Sequence, residues 1–320
     1  MTIYDVFNGD ADGICSLVQL HLVEPRQSQL VTGVKRDIKL LDNLIVEEGD
    51  HVNALDISMD KNKAGLLAIL EKGASVFYCD HHVSGDIPDN PKLDSLINTA
   101  PDVCTSLLIN GRLNAAFPEW AVVGAFGDNL KSSAIKLAST LNINPEQLER
   151  MDNLGVYINY NGYGAGLEDL HFKPDELFSK VKQFENPLLF MEQDVETFGK
   201  LESGYQDDMH LARSATVLKQ TEVAAAYLLP DERWARRVSG VFGNALANEY
   251  PERAHAVLTE RADSTYLVSV RAPLENKQFA DELCMAFPTG GGRKAAAGIN
   301  ALPADLLDGF LDKLQDTYRG

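Results

Sequence analysis

Residues 2–13 read TIYDVFNGDADG, a short apolar run followed by a turn rich in glycine and aspartate. A helical pattern follows at residues 14–23. The same alternation continues downstream, with apolar runs at 29–34, 51–57 and 75–78 and helical patterns at 38–45 and 63–70. Strands that alternate with helices at this spacing are typical of a doubly wound parallel sheet. We therefore predict an α/β domain whose functional residues lie where the strands end.

The pattern changes after this first third of the chain. Residues 101–160 carry apolar residues at helical spacing, and further helices are predicted up to about residue 213. Beyond that point a strand at 216–229 is followed by mixed strand and helix patterns. We predict a first domain at residues 1–173, a helical connector at 174–213 and a second, smaller α/β domain at 214–320.

The composition restricts the class of partner. Lys and Arg number 29 and Asp and Glu 47, which gives a formal net charge of −18. Proteins that bind long nucleic acids usually present a basic face, because neutralising phosphates supplies much of the affinity. The charge therefore favours a small or short anionic substrate over long duplex nucleic acid. The alternative, that the acidity serves only solubility, stays open at this point.

The cysteines and the apolar runs indicate where the protein works. The four cysteines are far apart and lack the paired spacing of a zinc or disulfide framework, which indicates a reducing compartment. No apolar run is long enough to cross a bilayer, and the N-terminus lacks the basic-then-apolar pattern of a secretory signal. We expect a cytoplasmic protein that has no membrane partner.

Four short polar segments carry the chemistry, and each alone has an ordinary explanation. They are NGDADG at 8–13, DIS at 56–58, DHH at 80–82 and GDN at 127–129. A single such segment is commonly a surface turn or a helix cap. Three of them, however, follow the first, third and fourth predicted strands, so their side chains should meet at one edge of the sheet. Carboxylates with one imidazole suit Mn²⁺ or Mg²⁺, and two ions about 3.5–4 Å apart would need a bridging carboxylate.

These segments, in this order, resemble the successive motifs of the DHH phosphoesterase family, which is named for the triplet at 80–82. The sequence GGGRKAAAG at 290–298 resembles the glycine-rich signature of the DHH-associated C-terminal domain. The family includes RecJ-type exonucleases, nanoRNases, phosphoadenosine phosphatases, cyclic dinucleotide phosphodiesterases and pyrophosphatases. The resemblance implies a metal-dependent phosphoesterase that uses Mn²⁺, with two divalent ions and Mg²⁺ as an alternative metal.

The resemblance also implies which residues bind the metal. Asp10 would bind the first ion, Asp12, His81 and Asp128 the second, and Asp56 would bridge the two. One departure concerns the first ion, because many members have His or Asp just before the paired aspartates. This chain has Asn8 there, and a neutral amide is a weaker ligand.

Two further residues of the triplet would take part in catalysis. The resemblance implies that Asp80 orients His81 through a hydrogen bond and that His82 contacts the scissile phosphate. Lys35 and Arg36 follow the second predicted strand and could face the substrate. A solvated basic pair is an equally good interpretation.

The second domain would bind the substrate. Its candidate residues are Arg271, Gly290, Gly291, Gly292, Arg293 and Lys294. Glycines let backbone N–H groups approach an anion, and we expect a following helix to add its positive end. The alternative is a flexible turn. The family commonly has His where this chain has Arg293, and arginine can hold a phosphate but cannot act as a general acid at neutral pH.

Together these observations predict an active site in a cleft between the domains. We expect hydrolysis of short single-stranded oligonucleotides or dinucleotides to nucleoside monophosphates, partly because no additional nucleic-acid-binding domain is recognised. One alternative is a phosphatase or phosphodiesterase acting on phosphoadenosine phosphate or a cyclic dinucleotide. Another is a nucleotide-binding sensor without turnover. Whether the chain forms a homodimer stays open.

Overall fold

A computed structural model of the protein describes residues 1–319, which form two compact units. The first unit ends at Ser203 and the second begins at Gly204. The division falls inside helix α9 (Val195–Ala212). The boundaries expected at residues 173 and 213 stay a prediction, and the segment between them is largely helical.

The first unit is built around five strands. They are β1 (Ile3–Phe7), β2 (Gln29–Val31), β3 (His51–Leu55), β4 (Ser75–Asp80) and β5 (Leu93–Ile97). Its helices are α1 (Ala11–Val23), α2 (Lys63–Glu71), α3 (Thr105–Arg112), α4 (Pro118–Gly127), α5 (Lys131–Ala138), α6 (Pro145–Asn161), α7 (Pro174–Val181), α8 (Pro187–Gln193) and the first half of α9.

The five strands are all parallel and lie in the order β2-β1-β3-β4-β5. Because alternate side chains of a strand point to opposite faces, Val6 packs with α2 while Phe7 contacts Phe178 of α7 on the other face. The predicted doubly wound parallel sheet is confirmed. The order of the strands reverses between β1 and β3, and ligands of such sheets bind at the carboxyl ends of the strands beside this point.

Two local predictions for the first unit were wrong. Residues 38–45 contain turns and no helix. The reason is Asn62, whose side chain donates to Ile38 O (2.6 Å) and accepts from Leu41 N (3.1 Å), so it binds backbone groups that an α-helix would pair within the segment. Strand β5 was not predicted. It is a short edge strand whose polar residues, such as Asp94, weaken the apolar pattern.

The second unit has a mixed six-stranded sheet in the order β10-β11-β9-β8-β7-β6. Only the β7–β8 pair is parallel among these strands. The elements are β6 (Thr216–Gln220), β7 (Ala224–Leu229), α10 (Arg233–Glu249), β8 (Ala254–Glu260), β9 (Thr265–Arg271), α11 (Ala280–Met285), β10 (Gly290–Gly292), β11 (Ala296–Pro303) and α12 (Leu307–Thr317).

The single strand predicted at residues 216–229 is an antiparallel hairpin of β6 and β7. Its reversal is stabilised by Thr221, whose hydroxyl accepts from Ala224 N (3.1 Å). The predicted second, smaller α/β unit is otherwise confirmed, and its core contains side chains of the sheet together with α11 and α12. Within residues 1–319, no helix combines the length and the apolar character that crossing a bilayer requires.

Candidate metal centre

The turn after β1 places two aspartates at the carboxyl edge of the first sheet. Asp10 caps helix α1, and its Oδ1 accepts from Gly13 N at 3.1 Å. Asp12 lies in the first turn of the same helix. A Cβ at Gly13 would lie 2.2 Å from the carbonyl oxygen of Asn8, so only glycine fits there. The sequence Asp-x-Asp-Gly therefore has a steric cause as well as a chemical one.

Asp12 is held by the beginning of a second helix. Its Oδ2 accepts from Thr105 N at 2.7 Å and its Oδ1 accepts from Ser106 N at 2.8 Å. Both donors lie in the first turn of α3, where backbone N–H groups lack partners within the helix and attract negative charge. The orientation of the buried carboxylate is therefore fixed by backbone donors.

Asp56, directly after β3, adopts a backbone conformation that is rare for residues other than glycine. Its φ is 57°, in the left-handed region. Strained residues of this kind persist only where the surrounding structure enforces them. Its backbone N donates to Cys79 O at 3.0 Å, and Thr105 Oγ1 donates to its Oδ1 at 3.2 Å.

His81 presents a buried nitrogen to three carboxylates. Its Nδ1 donates to Val103 O at 2.9 Å, since a carbonyl oxygen can only accept, and this leaves Nε2 as the ring nitrogen that could bind a metal ion through its lone pair. Nε2 lies 3.5 Å from Asp56 Oδ1, 3.8 Å from Asp128 Oδ2 and 3.9 Å from Asp12 Oδ2. It has no hydrogen-bond partner in the described part of the chain. A divalent cation between these groups would be a common partner for Nε2 and the three carboxylates.

Asp128 reaches this point because helix α4 packs closely on α1. Gly127 ends α4, and a Cβ there would lie 2.3 Å from the Cβ of Ala11 and 2.8 Å from the carbonyl oxygen of Gly155. Asp128 follows as the C-cap of α4. The close approach of the two helices therefore brings a carboxylate from an element outside the sheet to the site.

The expected hydrogen bond of Asp80 requires a correction. Asp80 Oδ1 lies 2.8 Å from Nδ1 of His82, whereas His81 is oriented by the carbonyl of Val103. The reason is geometric, since successive side chains after β4 point in different directions. The Asp80 carboxylate therefore fixes the orientation of the His82 imidazole. The side chain of His82 is 31% exposed.

Lys35 is the residue whose role the sequence left open. Its Nζ donates to Asp10 Oδ2 at 2.5 Å and to Asn159 Oδ1 at 2.9 Å. Asn159 lies on α6, more than a hundred residues away in the sequence. A basic residue shortly after the second strand was the available signal, but only the fold shows that it contacts Asp10.

The charges of the site fit a cation. Burial raises the pKa of Asp12, and burial together with the carboxylates of Asp10 and Asp12 raises the pKa of Asp56 well above its usual range. Burial acts to raise the pKa of Asp10 as well, but the Lys35 ammonium outweighs it and lowers that pKa to about 2. Carboxylate oxygens and a deprotonated imidazole nitrogen are suitable ligands for a divalent ion such as Mn²⁺. That these residues bind one stays a prediction.

The structure separates the substrate-binding candidates of the second unit into two groups. Arg271 lies within a network in which its Nε donates to Asn244 Oδ1 (2.5 Å) and its Nη1 donates to Ser269 Oγ (3.1 Å). Arg293 and Lys294 are exposed at the turn between β10 and β11, which is closed by Arg293 N donating to Ala296 O at 2.8 Å.

No helix directly follows the glycine run, because strand β11 comes first and helix α12 begins only at Leu307. Gly290, Gly291 and Gly292 form strand β10 and pair with β11, and a Cβ at Gly292 would lie 2.4 Å from the Cα of Ala297 on β11. A Cβ at Gly290 would lie 1.8 Å from Cys284 O, and Gly292 has φ 144°, which side-chain-bearing residues avoid. The glycines therefore serve the hairpin that carries Arg293 and Lys294.

Comparison with known proteins identifies the fold. No model of a known protein family matches the chain, and no curated protein matches it in sequence. Solved structures do match over both units. The first is an exonuclease RecJ bound to manganese, with a TM-score of 0.61 and 17% identity over 99% of this chain and 89% of that one.

Two further structures are similar. RecJ from Thermus thermophilus in complex with Mn²⁺ matches with a TM-score of 0.58 and 18% identity over 99% of this chain, which spans 52% of the RecJ chain. PggH, a pGpG-specific phosphodiesterase from Vibrio cholerae, matches with a TM-score of 0.58 and 13% identity over 99% of this chain and 98% of that one. The resemblance to RecJ and its relatives that the motifs predicted is confirmed at the level of the fold.

Proposed function

We propose that the chain is a metal-dependent phosphoesterase of the DHH family, a hydrolase acting on ester bonds. The observation that carries this proposal is His81 Nε2, a buried acceptor without a hydrogen-bond partner among the described residues, 3.5–3.9 Å from the carboxylates of Asp12, Asp56 and Asp128. Structural neighbours named as an exonuclease and a phosphodiesterase support the reaction class, and manganese in two of them supports a divalent ion.

The residues of the candidate centre and of the β10–β11 hairpin would have different roles. Asp12, Asp56, His81 and Asp128 would hold a divalent ion, which when bound lowers the pKa of a coordinated water and stabilises charge on the phosphoryl group. Backbone donors at α3 keep Asp12 in a fixed orientation, so the ligand set is preorganised. His82, oriented by Asp80 and partly exposed, would contact the scissile phosphate. The exposed Arg293 and Lys294 would bind a phosphate of the substrate.

We further propose that the substrate is short, a dinucleotide or a short single-stranded oligonucleotide that yields nucleoside monophosphates. The net charge of −18 disfavours the extended phosphate contacts that long strands need. The similarity to PggH, a pGpG-specific phosphodiesterase, over nearly its whole length supports a dinucleotide in particular.

The test is product analysis on a panel of substrates with Mn²⁺. The panel contains di- to pentanucleotides, a 20-mer, phosphoadenosine phosphate and a cyclic dinucleotide. We expect monophosphates from the short oligonucleotides, slower turnover of the 20-mer and loss of activity with a chelator. Faster release from phosphoadenosine phosphate or the cyclic dinucleotide would replace the proposed substrate while keeping the reaction class. Binding without turnover of every compound would reject the enzyme and favour a nucleotide sensor.

A further inference from the structure

Asp10 differs from the other carboxylates of the candidate centre because one of its oxygens already has an ammonium as its donor. Oδ1 accepts from Gly13 N at 3.1 Å, and Oδ2 accepts from Lys35 Nζ at 2.5 Å. The other half of the centre contains His81 Nε2, which lacks a hydrogen-bond partner in residues 1–319. The half of the cluster around His81 therefore has room for a cation, whereas Asp10 already has the Lys35 ammonium beside it.

The position of Lys35 is determined by several independent contacts. Its backbone N donates to Gly162 O at 2.7 Å, so the start of the side chain is fixed. At the other end, Nζ donates to Asn159 Oδ1 at 2.9 Å and lies 5.4 Å from the centre of the Tyr163 ring. These partners lie on α6 or just after it, an element separate from the sheet. Lys35 is thus directed at Asp10 by the fold and is not a surface lysine that happens to reach it.

The same side of the site has a neutral amide in place of a stronger metal ligand. Asn8 stands where the resemblance expects His or Asp, and its Nδ2 donates to Lys35 O at 3.4 Å. Its buried Oδ1 has no partner among the residues that the structure describes, but an amide oxygen carries no formal charge. This half of the centre therefore has a weak ligand at Asn8 and an ammonium beside Asp10. Both features reduce the attraction for a divalent ion.

We infer that the centre holds a single divalent ion, bound by Asp12, Asp56, His81 and Asp128, and that the Lys35 ammonium takes the place of a second ion beside Asp10. The inference rests on the proposed function and replaces the expectation of two ions. An ammonium has three N–H donors, and the contacts with Asp10 and Asn159 use two of them. The side chain is 22% exposed, so the third can donate to a phosphate oxygen of the substrate.

The number of bound ions tests this inference directly. The full chain is dialysed against Mn²⁺ and bound manganese is counted per chain, while electron paramagnetic resonance distinguishes isolated ions from a coupled pair. We expect one isolated Mn²⁺ in the wild type. Lys35→Met removes the ammonium at similar length and should raise the number to two. Lys39→Ala, at an exposed lysine of the same segment, should leave it at one.

The other outcomes separate a failure of the inference from a failure of the proposed function. A coupled pair of ions in the wild type would overturn it, and this result does not depend on whether any variant folds. A single ion in well-folded Lys35→Met would also overturn it, since the second ion would then be missing for another reason. No Mn²⁺ in the wild type would reject the metal centre and with it the proposed function. One ion together with no turnover on any phosphoester would reject only the proposed function.

Discussion

At the scale of single residues, the candidate centre depends on a few side chains that are held in costly states. Asp56 has a left-handed backbone and a buried carboxyl group whose ionisation is opposed by burial and by neighbouring carboxylates. His81 has an acceptor nitrogen without a hydrogen-bond partner in the described residues. Such features lower stability unless a ligand compensates for them, which is the usual relation between function and strain.

Asp56→Asn should separate metal binding from folding. Asparagine tolerates a positive φ but lacks the charge, so the metal-free variant should be at least as stable as the wild type. Mn²⁺ at about 100 times its Kd should stabilise the wild type by about 2.7 kcal/mol and the variant much less. Turnover should fall by about two orders of magnitude or more. Thermal unfolding with and without Mn²⁺ measures the first two effects, and Asp60→Asn, at an exposed aspartate, is the control. A stabilisation of wild-type size in Asp56→Asn would remove Asp56 from the ligand set.

Arg293→Ala should mainly weaken substrate capture. Arg293 is exposed at the tip of the β10–β11 hairpin, and a guanidinium can hold a phosphate but cannot donate a proton at neutral pH. Losing one charge-assisted contact should lower kcat/KM by about one to two orders of magnitude, chiefly through KM. Steady-state kinetics on a dinucleotide measures both constants, with the exposed Arg319→Ala as the control. A fall in kcat at constant KM would instead assign Arg293 to the chemical step.

At the scale of elements, close helix packing determines where Asp128 lies. Helices α1 and α4 meet at Ala11 and Gly127, and the glycine leaves no room for a larger residue. The end of α4 then presents Asp128 to ligands that follow the strands of the sheet. A change in helix packing should therefore alter the metal centre without touching any ligand.

Gly127→Ala tests this coupling. The added methyl group meets Ala11 and the carbonyl of Gly155, so we expect a loss of about 1–3 kcal/mol in unfolding free energy and weaker Mn²⁺ binding. Gly111→Ala in α3 is the matched control, because nothing lies within 4 Å of its added Cβ and alanine favours helix by up to about 1 kcal/mol. Denaturant unfolding and Mn²⁺ titration measure the two effects. Equal stability and equal affinity of both variants would contradict the proposed role of the packing.

At the scale of the whole molecule, charge and buried polar groups govern the response to pH. The net charge of −18 decreases in magnitude as carboxylates are protonated in acid. His255 makes the folded second unit less stable in acid. It is buried in β8, and burial lowers its pKa to about 4. Its Nε2 lies 3.4 Å from Tyr250 O, which only partly offsets the burial. The second unit should therefore lose stability in mild acid.

His255→Gln should reduce this acid sensitivity. Between pH 6.5 and 4 the unfolded chain binds a proton at His255 that the folded chain does not, so the unfolding free energy of the wild type decreases as the pH falls. Over this range the loss specific to His255 should reach about 3 kcal/mol. Urea unfolding of metal-free protein at several pH values measures it, and His210→Gln, at an exposed histidine, is the control. Parallel curves for wild type and His255→Gln would refute the assignment.

The class of the fold and most of the candidate site follow from the sequence by itself. The strands β1, β3 and β4 were predicted because buried parallel strands are local apolar runs, and the polar segments that follow them had to meet at one edge. The glycine beside Asp12 is local as well, since Gly13 leaves room for the carbonyl of Asn8, five residues earlier.

Other features were decided only by the tertiary structure, because they depend on contacts between distant residues. Asn62 prevents a helix at residues 38–45 by binding its backbone, and β5 forms only because β4 offers an edge with which to pair. Lys35 meets Asp10 through α6, a helix that begins more than a hundred residues later. The sequence of a segment shows which polar and apolar groups it contains, whereas the partner of each group depends on long-range packing. The charge that lies beside Asp10 is for this reason a property of the fold.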